Sequence, residues 1–193
     1  MGPYSIPVSL IRQFMFCPRI PFFLEVAGIQ QPIQLWVKQG IDYHLKMAEL
    51  MKRRSLQKFG LNNPTIHYSP KLKSLQLNIH GIPDALLEDE QQIVPIEFKN
   101  KMPKLTKATM FQLMCYGLLA EEQFKKTFKT ALVIVGLSRK IHTITRTEAL
   151  DQQTNVILHH LRKVLNQGVF PDSSASYAQC GQCEFLKYCN DRF

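Results

Sequence analysis

Residues 81–99 read Gly-Ile-Pro-Asp-Ala-Leu-Leu-Glu-Asp-Glu-Gln-Gln-Ile-Val-Pro-Ile-Glu-Phe-Lys, and this stretch decides the predicted fold. Two hydrophobic segments flank an acidic turn at 88–91, so we predict a hairpin whose strands carry Asp84 and Glu97. Side chains alternate along a strand, so Lys99 should lie on the same face as Glu97. The hairpin would then bring together two carboxylates and an ammonium group, which can hold a divalent cation beside a negatively charged substrate.

This combination of side chains has a structural and a catalytic interpretation. An aspartate after Gly-Ile-Pro is common in turns, and alternate charges on a strand edge can form a simple ion pair. We favour catalysis because the three charged groups would meet on neighbouring strands. Asp84 and Glu97, with the backbone carbonyl of Phe98, would then coordinate Mg²⁺ or Mn²⁺. Lys99 would position the metal-activated water or stabilise the charge that grows on a phosphorus atom under attack.

The composition is that of a basic globular protein. The chain has 193 residues and a formal net charge of +9, which suits one domain with a core, or a domain with a small appendage. A basic surface is common, but the lysines at positions 99, 101, 104 and 107 lie beside the carboxylates and favour a polyanionic partner. No apolar run reaches the ~18–20 residues of a membrane span, and the start lacks a signal-peptide pattern. We therefore expect a cytoplasmic protein without a membrane partner.

Hydrophobic periodicity and turn residues predict the order of the elements. The order helix, three strands, helix, strand predicts an α/β (α+β) fold in which a mixed sheet lies between helices. We divide the chain into an N-terminal helical segment (1–60), a core (61–170) and a cysteine-rich tail (171–193). Helices are predicted over about 9–23, 33–59, 106–123 and 150–167, the first of them interrupted at Cys17-Pro18-Arg19. Strands are predicted over 65–68, 75–80 continuing into 81–87, 93–98, 131–137 and 141–146.

Three further residues are candidates for the same site. A lone histidine such as His44, in Gly40-Ile-Asp-Tyr-His44, is usually a satisfied core residue, but beside carboxylates its neutral imidazole could be an additional metal ligand. Gln112 and Tyr116 are four residues apart and share one face of the helix that follows the catalytic strand. They either mark the boundary of an amphipathic helix, or they orient Lys99 or contact a phosphate backbone.

The five cysteines indicate metal chemistry. An odd number in a chain without a signal peptide argues against a disulfide framework. Cys180, Cys183 and Cys189 form a C-x₂-C-x₅-C pattern, for which Cys17 is the natural fourth ligand, whereas Cys115 lies in an apolar helical stretch and is interpreted as a core thiol. Four thiolates fit structural Zn²⁺ or a [4Fe–4S] cluster. The distant fourth ligand favours the cluster slightly, and it would tie the N-terminal segment to the tail.

Together these motifs resemble the CRISPR-associated, RecB-like exonucleases that carry an iron–sulfur cluster, within the PD-(D/E)xK nuclease superfamily. The resemblance covers nearly the whole chain, and each motif is weak alone but specific in this order. The motifs are Phe16-Cys17-Pro18-Arg19, Gly40…His44, Gly81-Ile-Pro-Asp84, Glu97-Phe-Lys99, Gln112-Leu-Met-Cys-Tyr116 and the tail cysteines Cys180, Cys183 and Cys189.

The resemblance implies a fold, a site and partners. The fold would be the restriction-endonuclease-like core, with a cysteine-ligated cluster joining the N-terminal segment to the tail. His44, Asp84 and Glu97 would bind the catalytic metal, Lys99 would be the catalytic lysine, and the four cysteines would hold a [4Fe–4S] cluster. The substrate would be DNA with single-stranded or overhanging ends, trimmed as prespacers beside the CRISPR integrase proteins.

Two other functions compete with this interpretation. A RecB-like nuclease of recombination or repair would share the chemistry, but such domains normally accompany a helicase, and this sequence has no Gly-x₄-Gly-Lys-Ser/Thr loop. A non-catalytic DNA-binding scaffold would use the cysteines for zinc or a cluster and the carboxylates for structure. Substitution of Glu97 distinguishes a nuclease from a scaffold, because a nuclease would lose DNA cleavage whereas a scaffold would keep every activity.

Overall fold

A computed structural model of the protein describes residues 5–30, 43–44, 46–51, 59–136 and 140–189. Residues 43–44 and 46–51 are helical, as predicted, whereas the rest of the helix predicted over 33–59 lies almost wholly outside the described residues. The four tail residues from 190 onward also lie outside them. Within the described ranges, no helix combines the length and the apolar character needed to cross a membrane.

A five-stranded mixed sheet forms the centre of the fold. Its strand order is β2-β5-β6-β7-β8, in which β6 and β7 run parallel and all other neighbours run antiparallel. The mixed sheet predicted from the sequence is therefore confirmed. The strands of the chain are β1 (Ile6–Pro7), β2 (Thr65–Tyr68), β3 (Leu72–Ser74), β4 (Ile79–Gly81), β5 (Ala85–Glu88), β6 (Ile93–Lys99), β7 (Thr130–Val135) and β8 (Lys140–Thr145).

A second, three-stranded sheet has the order β1-β4-β3 and was not predicted. The prediction of one strand over 75–80 continuing into 81–87 was wrong, because residues 75–78 form the turn between β3 and β4. The Ser74 hydroxyl accepts the backbone N–H of Leu77 at 2.8 Å, and Asn78 has a φ of 48°, a left-handed conformation that asparagine tolerates. Leu75 is consequently 82% exposed rather than half-buried.

Three helices pack together beside the large sheet, with α2 in contact with the sheet and the other two packed on α2. They are α1 (Ser9–Phe16), α2 (Lys107–Phe124) and α3 (Glu148–Gln167). The hydroxyls of Thr106 and Thr147 cap α2 and α3 by accepting backbone N–H groups three residues ahead. A helical turn at Arg19–Pro21 and a π-helix at Phe22–Val26 follow α1, so helical structure resumes after the predicted break and extends past Pro21. The tail adds two short helices, Tyr177–Cys180 and Leu186–Cys189.

The two faces of the large sheet bury different side chains. On one face, Val94, Ile96 and Phe98 pack in a cluster with Met47 and Met51 of the helical residues 46–51. The other face is covered by α2, which packs against both β6 and α1. Because side chains alternate along β6, Glu97 projects opposite to Phe98, toward the helices. This arrangement places the carboxylates between the sheet and α1 and α2.

Candidate active site and cysteine cavity

Asp84 and Glu97 are neighbours across the β5–β6 hairpin. Ala85 pairs with Ile96 in the antiparallel hairpin, so Asp84, which precedes Ala85, lies next to Glu97, which follows Ile96. The Oδ2 atom of Asp84 accepts the backbone N–H of Phe98 at 2.6 Å. This hydrogen bond fixes the Asp84 carboxylate just before the start of β5, beside the strand that carries Glu97.

His44 contacts Asp84 from the helix on the other side of the sheet. Its Nδ1 atom lies 3.0 Å from Asp84 Oδ1, and its side chain is 40% exposed. The hydrogen bond to Asp84 raises the pKa of His44, and partial burial opposes this effect. His44, which the sequence predicts as an additional metal ligand, is therefore in direct contact with Asp84, one of the two predicted carboxylate ligands.

Glu97 is a buried carboxylate that pairs with Lys99. The side chain of Glu97 is 5% exposed, that of Lys99 is 17% exposed, and Lys99 Nζ contacts Glu97 Oε1 directly. Burial raises the pKa of Glu97 and the negative charge of Asp84 raises it further, while the charges of Lys99 and Arg12 lower it. Two carboxylates that repel each other in a desolvated position form a site that a cation would stabilise.

Gln112 and Tyr116 lie side by side on α2, near the carboxylates. Gln112 Nε2 donates to the Tyr116 hydroxyl at 3.4 Å, and both residues are buried. Burial raises the pKa of Tyr116, and the charges of Glu97 and Asp84 add to this effect because the phenol lies near both. The Oε1 atom of Gln112 is buried without a hydrogen-bond partner within the described structure, so it is an acceptor in need of a donor.

A groove between α1 and the tail contains residues that sequence reasoning missed. It has ≈1390 Å³ of open space, and its walls include Arg12 and Gln13 of α1, Gln112 of α2, and the tail residues Gln179 and Gln182. Arg12 lies close enough to Glu97 to lower the pKa of that carboxyl. The sequence offers one signal for this residue, since Arg12 is a polar interruption in an otherwise apolar N-terminal stretch.

The four cysteines of the predicted cluster line one cavity. Cys17 and Cys180 are buried, and Cys183 and Cys189 are partly buried. The cavity is small, with ≈20 Å³ open to the centre of a water-sized sphere, and its remaining walls are mainly apolar. They consist of Phe16, Arg19, Ile20, Phe23, Ser173, Ala175, Phe185 and Leu186.

Contacts within this cavity join distant parts of the chain. Cys17 Sγ lies 3.6 Å from Ser173 Oγ, and Arg19 Nη1 donates to Cys189 Sγ at 3.2 Å. Burial raises the pKa of Cys183, and negative charge on the other three cysteines would raise it further. The N-terminal segment and the tail are therefore in contact at the cysteines, as the predicted fourth ligand requires.

Cys115 is separate from this group. It is fully buried in the main core, on α2, and burial raises its thiol pKa to about 12. The interpretation of this cysteine as a core thiol agrees with its position.

Comparison with known proteins assigns the chain to a family. The model of the PD-(D/E)XK nuclease superfamily matches residues 25–190. The chain belongs to the PD-(D/E)XK nuclease superfamily. Two curated relatives of this nuclease, both named CRISPR-associated exonuclease Cas4, match over almost their full lengths. The protein from Francisella tularensis subsp. novicida is 37% identical over 97% of this chain and 95% of its own, and that from Thermoproteus tenax is 25% identical over 94% and 92%.

Solved structures show the same fold as this nuclease. The crystal structure of SSO0001 superposes with a TM-score of 0.65 at 17% identity, covering 100% of this chain and 88% of the other. The alkaline exonuclease LHK-Exo from Laribacter hongkongensis superposes with a TM-score of 0.52 at 10% identity, covering 84% and 88%. The predicted nuclease core is confirmed by these two likenesses and by the superfamily match.

The donor atoms of this nuclease suit hard divalent cations at the hairpin and thiophilic metals at the cysteine cavity. Among the residues that the structure describes, no three His, Cys, Asp or Glu side chains stand closely enough together to hold a single metal ion. At the hairpin the side chains pair instead, His44 with Asp84 and Glu97 with Lys99. The roles of the individual side chains therefore stay predictions.

Proposed function

We propose that this nuclease is a divalent-metal-dependent deoxyribonuclease that acts on single-stranded DNA or overhanging ends and trims prespacers during CRISPR spacer acquisition. The observation that carries the proposal is the hairpin pair Asp84 and Glu97, with Lys99 in contact with Glu97, on the scaffold of a PD-(D/E)XK nuclease. The two Cas4 relatives, which match nearly end to end, support the CRISPR context.

In this proposal the protein supplies ligands and charges around the reacting phosphate. Asp84 and Glu97, with His44 and the Phe98 carbonyl, would hold Mn²⁺ or Mg²⁺, which lowers the pKa of water and polarises a phosphoryl oxygen. Asp84 is held in place by the N–H of Phe98, and Glu97 is screened from bulk water by burial. Lys99 lies next to Glu97, where its ammonium group can stabilise negative charge that develops on the phosphate.

Gln112 and Tyr116 would act beside these charges. The unpartnered Oε1 atom of Gln112 is a ready acceptor for a donor such as the Lys99 ammonium or a bound water. Tyr116 stays protonated at neutral pH because burial raises its pKa, so its hydroxyl can donate a hydrogen bond toward an anionic oxygen. Both groups therefore fit a role in orienting the lysine or the DNA backbone.

The groove supports single-stranded or overhanging DNA as substrate. One wall holds Arg12 and the amide of Gln13, and the opposite wall holds Gln179, Gln182 and Phe185 of the tail. A cation, several amides and aromatic side chains are the groups that bind a phosphate backbone and unstacked bases. The formal net charge of +9 also favours DNA, and the CRISPR integrase proteins are the proposed partners in trimming.

The cysteine cavity fits a [4Fe–4S] cluster. Structural Zn²⁺ and a [4Fe–4S] cluster both take four thiolate ligands. Here four cysteines line one cavity whose other walls are mainly apolar, and the position of Cys17, far in sequence from the three tail cysteines, favours the cluster. The cluster would tie the N-terminal segment to the tail and so hold the two walls of the groove at a fixed distance.

The experiment is cleavage of end-labelled single-stranded DNA by anaerobically purified protein, with Mn²⁺, Mg²⁺ or EDTA. Glu97→Gln should abolish metal-dependent cleavage while the protein stays folded. Glu88→Gln is the matched control, because Glu88 is another strand carboxylate of the same hairpin that pairs with a basic side chain, its Oε2 atom lying 2.7 Å from His67 Nε2. The control variant should cleave at the wild-type rate.

Three results would contradict the proposal. Cleavage that survives Glu97→Gln would place the activity elsewhere or in a contaminant. Cleavage that EDTA does not inhibit would remove the metal from the mechanism. Binding of DNA with no cleavage by any preparation, even with integrase added, would favour the non-catalytic scaffold.

A further inference from the structure

Arg19 belongs to the Phe16-Cys17-Pro18-Arg19 motif, yet the proposed cleavage chemistry does not use it. The residue is 8% exposed, which is unusual for an arginine. Its guanidinium donates from Nη1 to Cys189 Sγ at 3.2 Å and from Nε to the carbonyl of Pro171 at 2.8 Å. The carbon of the guanidinium also lies 4.6 Å from the centre of the Phe170 ring. One cation therefore contacts Phe170 and Pro171, where the core meets the tail, and also Cys189, the last cysteine of the tail.

These contacts require an arginine rather than any cation. A guanidinium is planar and offers donors in fixed directions, so two edges can serve two acceptors while the flat face stacks on a ring. The ammonium group of a lysine is a single point and lacks this fork. The guanidinium also brings a positive charge against the thiol of Cys189, where it would attract a negatively charged group held by the cysteines.

We infer that Arg19 is a positioning residue for the cluster, and that its N–H···S hydrogen bond and positive charge hold Cys189 as a ligand and raise the reduction potential of the bound group. The inference rests on the [4Fe–4S] cluster proposed above. Net charge and hydrogen bonds to sulfur are among the factors that set the potential of such clusters. Reduction adds negative charge, so a buried cation and a donor to sulfur stabilise the reduced form more than the oxidised form.

The test compares three variants of the full chain purified anaerobically. Arg19→Met removes the charge and the donors, and Arg19→Lys restores a charge without the fork. Lys187→Met is the matched control, because Lys187 is an exposed cation of the tail whose ammonium lies 4.8 Å from the Tyr188 ring. The midpoint potential is measured by dithionite titration followed by visible absorption, and the stability of the cluster by its rate of loss to an iron chelator.

We expect Arg19→Met to lower the midpoint potential and to speed loss of iron by about tenfold or more, the usual scale for loss of an outer hydrogen-bond partner. Arg19→Lys should lie between Arg19→Met and the wild type, and Lys187→Met should match the wild type. If Arg19→Met yields no folded protein, Arg19→Lys decides by the same two measurements. The inference is overturned if Arg19→Met, or Arg19→Lys where Arg19→Met does not fold, has the midpoint potential and the rate of iron loss of the wild type. It is also overturned if Lys187→Met changes both quantities as much as the Arg19 variant does.

Nuclease activity on the same preparations separates this inference from the proposed function. A wild-type protein that cleaves DNA with Mn²⁺ but contains no iron would refute the cluster, and with it the role of Arg19, and leave the nuclease intact. If the wild type holds the cluster and Arg19→Met shifts the midpoint potential, but neither protein cleaves DNA, the result supports the role of Arg19 and counts against the proposed nuclease activity.

Discussion

Gly81, the last residue of β4, is a sensitive point because Tyr116 packs directly on it. A Cβ atom at position 81 would lie 2.7 Å from Tyr116 Cε1 and 3.0 Å from the Cβ atom of Val8. Carbon atoms in contact normally lie about 3.5–4.0 Å apart, so Gly81→Ala requires a movement of about 1 Å. Tyr116 is 4% exposed and Val8 is fully buried, so neither side chain can turn away into solvent.

The expected effects of Gly81→Ala follow from this geometry. Overpacking of this kind costs about 1–3 kcal/mol, which lowers the Tm of a chain of 193 residues by about 2–12 °C. A displacement of about 1 Å near reacting groups can lower the rate about 100-fold. Because Tyr116 lies beside Glu97 and Asp84, we expect kcat to fall by about 10–100-fold.

The assay measures kcat for cleavage of single-stranded DNA at saturating Mn²⁺, together with the Tm. Gly117→Ala, in the same helix as Tyr116, is the matched control, because its Cβ would lie 2.3 Å from the ring of Phe128. It should lower the Tm but change kcat little. If folded Gly81→Ala shows the expected fall in Tm and retains the wild-type kcat, the position of Tyr116 does not matter for cleavage and our reasoning is refuted.

Three further predictions concern the metal, the DNA and the thiols. Mn²⁺ at 100 times its Kd should stabilise the wild type by about 2.7 kcal/mol, which raises the Tm by about 5–11 °C in differential scanning calorimetry, and it should leave the Tm of Glu97→Gln unchanged. An equal rise in Tm in both proteins would place the ion elsewhere. Arg12→Gln should weaken binding of single-stranded DNA of every sequence and reduce the salt dependence of log K by about one, measured by fluorescence anisotropy; an unchanged slope would exclude a phosphate contact. Cys115, whose pKa is raised to about 12 by burial, should resist iodoacetamide at neutral pH in the folded, chelator-treated protein, while the tail cysteines react. Mass spectrometry of the labelled peptides would contradict this prediction if Cys115 were modified first.

The large sheet was predictable because its strands have strong local signals. The hairpin of β5 and β6 has an acidic turn, in which Asp89 accepts the backbone N–H groups of Gln91 and Gln92. The strand predicted over 131–137 corresponds to β7, Thr130–Val135, which lies between β6 and β8 in the sheet and is hydrogen-bonded to both. Repeated hydrophobic residues and turn residues thus specified the part of the fold that holds Asp84 and Glu97.

The small sheet was not predictable because its strands are too short to show a period. β1 has two residues and pairs in parallel with β4, and such a contact depends on packing between distant segments. The alternation of Leu75, Leu77 and Ile79 suggested a strand, but Ser74 and Asn78 form turn contacts that override it. The place of Arg12 in the groove was hidden for the same reason, since it depends on how α1 packs against α2 and the tail.

The walls of the groove are made at opposite times. Arg12 and Gln13 are synthesised before the strands of the nuclease core, whereas Gln179 and Gln182 are added after them. A nascent chain can therefore form the hairpin of Asp84 and Glu97 while one side of the groove is still missing. The order of translation thereby delays the complete groove until the carboxylate hairpin has been made.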